Sequence, residues 1–120
     1  MSNLSLGAFG EKLAAEFLAK NGFEILARNV RCGKNEIDLV ARKNGVISFV
    51  EVKTRRGAEF GHPAEAVTLA KQRELAKAAE HYLRKFPNQS ELYRFDVIAI
   101  TIAEKGAPDI LFIEDAFRAM

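Results

Sequence analysis

The stretch NEIDLVARKNGVISFVEVKTRR, Asn35 to Arg56, decides how this chain folds. It reads as two strands joined at Asn44-Gly45, the strongest short-range hairpin signal a sequence carries. If those two residues form the loop, Lys43 faces Val46, and counting back along the ladder sets Asp38 opposite Glu51. Directly opposed side chains on one face hold their Cβ atoms roughly 5 Å apart. Two carboxylates at that separation repel by about 3 kcal/mol in an effective dielectric of about 20. A fold gains nothing from this unless a cation or a shared proton compensates. The next pair on the same face would be Glu36 with Lys53. The arrangement depends on register: a three-residue loop with a bulge flips one carboxylate away, and a four-residue loop over Lys43 to Val46 restores the pair.

The rest of the composition supplies a setting. At 120 residues, 48% hydrophobic and 28% charged, the chain reads as one globular domain over residues 1–120. A net charge of +2 neither points to nor excludes a nucleic-acid partner, so the distribution of charge matters more. The single cysteine, Cys32, excludes an intramolecular disulfide and a four-cysteine zinc site, and reads as a reduced thiol without chemistry. There is no basic segment followed by an apolar run at the start, and no apolar stretch of about 20 residues. A soluble, cytoplasmic protein is expected.

Taken in order, residues 5–21 predict a helix with Leu6, Phe9, Leu13 and Phe17 as its apolar stripe and a stop at Asn21-Gly22. Glu11 lies beside that stripe among Gly7, Ala14, Ala15 and Leu18. It is either an ordinary boundary glutamate or a carboxylate aimed at the hairpin. A first strand, Phe23 to Val30, reaches the hairpin through a turn at residues 31–34. On the hairpin, Ile37, Leu39, Val50 and Val52 should share one face, with Val40 and Phe49 on the other, so the sheet should be covered on both sides. A breaker-rich loop follows over Gly57 to Pro63, then a helix from Thr68 to Phe86 with Leu69, Leu75, Ala76, Ala79 and Leu83 inward. Strands at about 93–102 and 110–113 complete the chain. A meander followed by a helical crossover predicts a mixed α/β sheet, its fourth strand joining in parallel by a right-handed connection, with helices on both faces or on opposite halves.

Asp38 and Glu51 offer hard oxygen ligands suited to Mg²⁺ or Mn²⁺, and the backbone carbonyl of Val52 could add a third. Lys53 would polarise or orient a water for attack on phosphorus. The dull reading is a charged sheet end with Lys53 paired to Glu36 or Asp38. Arg28, Arg31, Lys34, Arg55 and Arg56, with Lys71 on the second helix, would surround the site with charge suited to phosphate contacts. Alternatively, that run is a solvated face. Arg94 and Asp96 share a strand face, as a structural ion pair or as support for the metal site. His62 and His81 have no partner at ligand spacing and are assigned no chemistry.

The sequence EIDLV, with thirteen residues from Asp38 to the glutamate of FVEVKTR, resembles the PD-(D/E)XK nuclease signature. The segments GAFGEKLAAEFLAKNGFEILARNVR, FVEVKTR, AVTLAKQRELAKAAEHYL and RFDVIAI together resemble the bacterial YraN family, which is similar to archaeal Holliday-junction resolvases. The likeness spans Gly7 to about Ile100. It implies a restriction-endonuclease-like αβββαβ core with an extra C-terminal strand, and Mg²⁺-dependent cleavage of DNA, duplex or branched. It also implies a catalytic set of Glu11, Asp38, Glu51 and Lys53. Where the family usually places glycine before EID, this chain has Asn35, with glycine back at Gly33; asparagine tolerates the left-handed conformation. A resolvase would need a two-fold homodimer to cut symmetrically. The competing expectations are a nucleic-acid-binding module of the same fold without turnover, and a protein-interaction adaptor.

Overall fold

Asn44 and Gly45 both take positive φ, 52° and 77°, and they form a two-residue hairpin loop with Lys43 facing Val46. That is the backbone a primed hairpin turn requires, and Asn-Gly adopts it at least cost. In the computed structural model, which describes residues 5–57, 67–87 and 92–118, this hairpin is the centre of a five-stranded sheet. The elements run α1 (Leu6–Lys20), β1 (Glu24–Cys32), β2 (Asn35–Lys43), β3 (Val46–Arg56), α2 (Leu69–Lys85), β4 (Leu92–Ile102) and β5 (Asp109–Phe117). Strand order follows chain order. All neighbours pair antiparallel except β3 and β4, which are parallel across the α2 crossover. The αβββαβ order with a further C-terminal strand is the one expected. Most of the breaker-rich loop, including His62 and Pro63, lies outside the described residues.

Each helix covers one face of the sheet. Ser5 caps α1 by accepting from the Ala8 N–H. Gly22, at φ 88°, ends the helix, and the Phe23 N–H returns to the Leu18 carbonyl in a Schellman closure. The buried face of α1 is Gly10, Ala14, Ala15 and Leu18, while Leu13 and Phe17 pack only at its margin. The larger residues had predicted a different stripe. The small ones are inward because the helix lies close on β3: a Cβ on Gly10 would sit 1.7 Å from Thr54 Oγ1. This rotation also carries Glu11 toward the sheet. On the other face, α2 buries Leu75, Ala78, Ala79 and Tyr82; Leu69, predicted inward, is exposed just after the cap Thr68. Tyr82 replaces it as an anchor, its ring edge-on to Phe49 at 5.8 Å.

The predicted hairpin faces hold near the turn and fail at Ile37. Leu39, Val50 and Val52 pack toward α1, but Ile37 joins Val40 and Phe49 under α2. Two side chains an even number apart should share a face, so β2 is irregular at Asp38. Its neighbour β1 carries Asn29 at φ 50° between the pairs Arg28–Leu39 and Val30–Ile37. Asn35 starts β2 without a positive φ; the left-handed residue of the preceding turn is Gly33, at φ 60°.

At the far side of the sheet, β5 extends well past the predicted 110–113. Its register with β4 shifts between Phe95 and Val97, opposite fully buried Asp96. The Asp96 carboxylate accepts from Arg94 Nε at 3.0 Å, from the Ser48 hydroxyl, and from the Asp115 N–H at 2.8 Å, where Asp115 has φ 50°. Three strands are joined by one carboxylate. Ser48 and Val50 share the α1 face, so Asp96 is the predicted structural pair and faces away from Glu51.

Two substitutions test this packing. Gly10→Ala should destabilise the chain by about 1–3 kcal/mol through overpacking against Thr54, despite about 1 kcal/mol of helix-propensity gain. Urea denaturation should show that loss and its partial recovery in Gly10→Ala/Thr54→Ala. Asp96→Ala, which strands the Ser48 hydroxyl, the Asp115 N–H and the Arg94 guanidinium, should cost about 3 kcal/mol or more. An unchanged midpoint in either single variant would contradict the contact behind it.

Candidate functional site

The last ladder pair between β2 and β3 is Leu39–Val50. Beyond it β2 stays with β1, through Arg31–Glu36 and Cys32–Asn35, while β3 stays with β4 up to Arg56–Ile102. The sheet forks, and Asp38 and Glu51 are the first residues inside the fork. Asp38 Oδ2 accepts the Val52 N–H at 2.7 Å, so a side chain takes the place of a strand partner. Glu51 is 4% exposed.

Four acids gather around this point. Carboxylate oxygens of Glu11, Glu36 and Asp38 lie within 4.8 Å of one another. Burial pushes the Glu11 carboxyl up from its ordinary 4.5, and the charges of Asp38 and then Glu36 push it in the same direction. Burial also raises Glu51, to about 7, helped by the charge of Asp38 and a hydrogen bond to it; Lys71 and Lys53 oppose the rise. Both ammonium groups approach the same oxygen, Glu51 Oε2, at 3.7 Å for Lys53 and 3.8 Å for Lys71. Those distances are ion pairs beyond hydrogen-bond reach, so they offset the burial of Glu51 only in part.

The structure thus brings Glu11, Asp38, Glu51 and Lys53 to one end of the sheet, as the sequence predicted. Lys71, expected among the phosphate-binding residues, lies 3.8 Å from Glu51 Oε2. The predicted Glu36–Lys53 pair does not form, because the fork separates the two strands; Glu36 binds Arg31 at 3.1 Å and Lys53 turns to Glu51. Val52 enters the site through its N–H, fixed on Asp38. Arg28 and Lys34 are exposed on β1 and its turn, and Arg55 and Arg56 end β3. Glu36 was not predicted as a member of the acid cluster. Its signal was the EID spacing itself, two acids two residues apart.

Whether a divalent cation suits this place can be judged from the donors. Asp38, Glu51, Glu11 and Glu36 present only hard carboxylate oxygens, the set that Mg²⁺ and Mn²⁺ take. Burial first, and the neighbouring carboxylates second, raise Glu51 and Glu11, and a cation among these oxygens would offset both. Among the described residues, the buried side-chain polar atoms without a partner are Asn35 Oδ1, Thr54 Oγ1 and Arg55 Nε. Thr54 Oγ1 is packed against Gly10 of α1 and Arg55 Nε is a donor, so only Asn35 Oδ1, next in sequence to Glu36, is a spare oxygen of the kind a cation takes. The residues fit a cation.

Fold and site together define an α/β protein with a half-buried cluster of acids and lysines, built around buried Glu51, where its sheet divides. The chain belongs to UPF0102: residues 10–100, which include all four acids and both lysines, match the model described as "Uncharacterised protein family UPF0102". It is 50% identical to a UPF0102 protein of Chloroherpeton thalassium over 99% of this chain and 98% of that one. It is 45% identical to one from Caldicellulosiruptor saccharolyticus, covering 98% of this chain and all of the relative. A UPF0102 protein of Symbiobacterium thermophilum is 48% identical, over 95% and 97% of the two chains. No helix among the described residues is long and apolar enough to cross a membrane.

The Glu51 carboxyl gives a pH prediction. Its folded pKa is raised, so its contribution is full below about 4.5 and is lost as pH rises through about 7. In chelator, the wild type should lose up to about 3 kcal/mol relative to Glu51→Gln over that window. Denaturation midpoints at constant ionic strength measure the difference, and parallel pH profiles of the two proteins would count against the buried acid pair. Added Mn²⁺ should restore stability to the wild type at pH 8 and not to Glu51→Gln.

Proposed function

We propose that this protein is a metal-dependent endonuclease that hydrolyses DNA phosphodiester bonds, with a PD-(D/E)XK site of the restriction-endonuclease-like class. The observation that carries the reading is the fork: Asp38 and Glu51 side by side, coupled through a hydrogen bond, with Lys53 on the same carboxylate. The αβββαβ order and the approach of Glu11 from α1 support it.

Asp38 and Glu51 would hold Mg²⁺ or Mn²⁺, with the Val52 carbonyl as a further donor. When bound, the ion supplies Lewis-acid charge to the phosphoryl oxygens and the leaving 3′ oxygen. Asp38 is aimed by the Val52 N–H, which fixes one of its oxygens and leaves the other for a ligand. Lys53, 3.7 Å from Glu51, would orient a water for in-line attack on phosphorus, with the P–O3′ bond breaking opposite. Glu11, kept protonated more readily by its burial and neighbours, can hold or release a proton on the α1 side. Arg28, Arg31, Lys34, Arg55 and Arg56 rim the open end and suit a phosphate backbone. Cleavage of a four-way junction would further require a two-fold dimer to place two such centres.

One observation favours a second reading. Lys53 and Lys71 both lie on Glu51 and offset its charge in part, which would suit a nucleic-acid-binding module without turnover. A panel of single-stranded, duplex, flap and four-way DNA separates the two. The nuclease reading expects cleavage with Mg²⁺ or Mn²⁺ that Asp38→Ala and Lys53→Ala each reduce by about 10²–10³-fold or more, with binding retained. Cleavage unchanged in both variants would sink the assignment; salt-sensitive binding without cleavage under any divalent ion would favour the binding module.

A further inference from the structure

Away from the acids, α2 and the end of β1 enclose an open cleft of about 240 Å³ lined by Cys32, Lys77, Glu80, His81 and Arg84. The helical spacing puts residues 77, 80, 81 and 84 on one side of α2, all exposed. Glu80 binds Arg84 across one turn, which holds the guanidinium in place and engages only one of its nitrogens. A guanidinium carries five donors, so most remain free. Lys77 and His81 have no hydrogen-bond or ion-pair partner among the described residues. The volume falls below the roughly 300 Å³ at which small-molecule pockets begin, and its lining is polar rather than apolar, so a drug-like or cofactor ligand does not suit it. A single anionic group does.

We infer that this cleft is a phosphate subsite, taking a backbone phosphodiester of the DNA whose scissile bond lies at the fork. The inference rests on the nuclease reading for the identity of its ligand. Its placement comes from the sheet: Cys32 pairs with Asn35, and Arg31, one residue back, pairs with Glu36 of the acid cluster. The cleft therefore lies on the α2 side of the β1–β2 tip that carries Glu36, the face on which Lys71 meets Glu51, and a strand leaving the fork on that side would pass it. Lys77, Arg84 and His81 form its donors, and Glu80 orients Arg84. Phosphate contacts of this kind fix the register of a backbone without reading its bases.

Cys32 makes the subsite testable, because the chain has one cysteine and it lines the cleft. The rate at which an aryl disulfide modifies Cys32 should fall about 5-fold or more when a short DNA duplex saturates the protein in chelator. Inorganic phosphate should slow it at higher concentration. In Lys77→Ala/Arg84→Ala, both surface positions, DNA affinity should drop about 10-fold and the slope of log K against log salt by about 2. Protection of Cys32 should disappear with them. An unaltered Cys32 rate with DNA bound, or a double variant with wild-type affinity and salt slope, overturns the subsite. Cleavage in Mn²⁺ is read in parallel. Asp38→Ala should lose cleavage and keep protection; protection in a wild type that cuts nothing would uphold the cleft and overturn only the nuclease.

Discussion

The hydrogen bond from the Val52 N–H to Asp38 is the constraint on which the rest of the site depends. A backbone donor left by a departing strand must find an acceptor, and burying it unsatisfied would cost about 1–3 kcal/mol. Asp38 meets that need from the strand that departs. It thereby ends the β2–β3 ladder without leaving an orphan, and it holds its own charge beside Glu51. The electrostatic strain of two neighbouring carboxylates is thus built into the way the sheet is closed, and removing Asp38 would disturb backbone and charge together.

Around that point the chain divides its labour between faces. The α1 face holds close packing, with Gly10 against Thr54, and the Asp96 clamp that ties Ser48, Arg94 and the β5 bulge together. The α2 face holds Glu51, Lys53 and Lys71. A buried carboxylate serves on each face with opposite consequences: Asp96 has all its partners, and Glu51 is short of them. Satisfied networks specify structure, and incompletely compensated charge marks a place to bind something.

The hairpin was legible because Asn44-Gly45 admits so few backbone solutions, and the register followed from it out to Leu39–Val50. The fork was not legible. Nothing in alternation announces that Ile37 will change faces, since the cause is a side chain competing for a backbone donor and a left-handed Asn29 on the neighbouring strand. That is why Asp38, Glu51 and Lys53 could be named while Glu36 was given Lys53 as its partner in place of Arg31. The inward face of α1 was misread for a different reason. Hydrophobicity ranks Phe9 and Leu13 above Gly10 and Ala14, but the approach of a helix to a strand rewards small residues. Likewise β5 looked short because the sequence IEDAF carries no alternation. It is held in place by Asp96, far away in the chain, and only the folded sheet reveals that.

Past the fork, Glu36 travels with the β1–β2 ribbon and Glu51 and Lys53 with the β3–β4 ribbon. The aperture between these groups is therefore governed by how far two ribbons splay, with side-chain rotamers only trimming it. Asp38 is the pivot and the ribbons are levers, so a small change of backbone angle at Asn29 or Ile37 would be magnified at the tips. The spacing of the groups around such a mouth is, in this sense, a property of a sheet's twist.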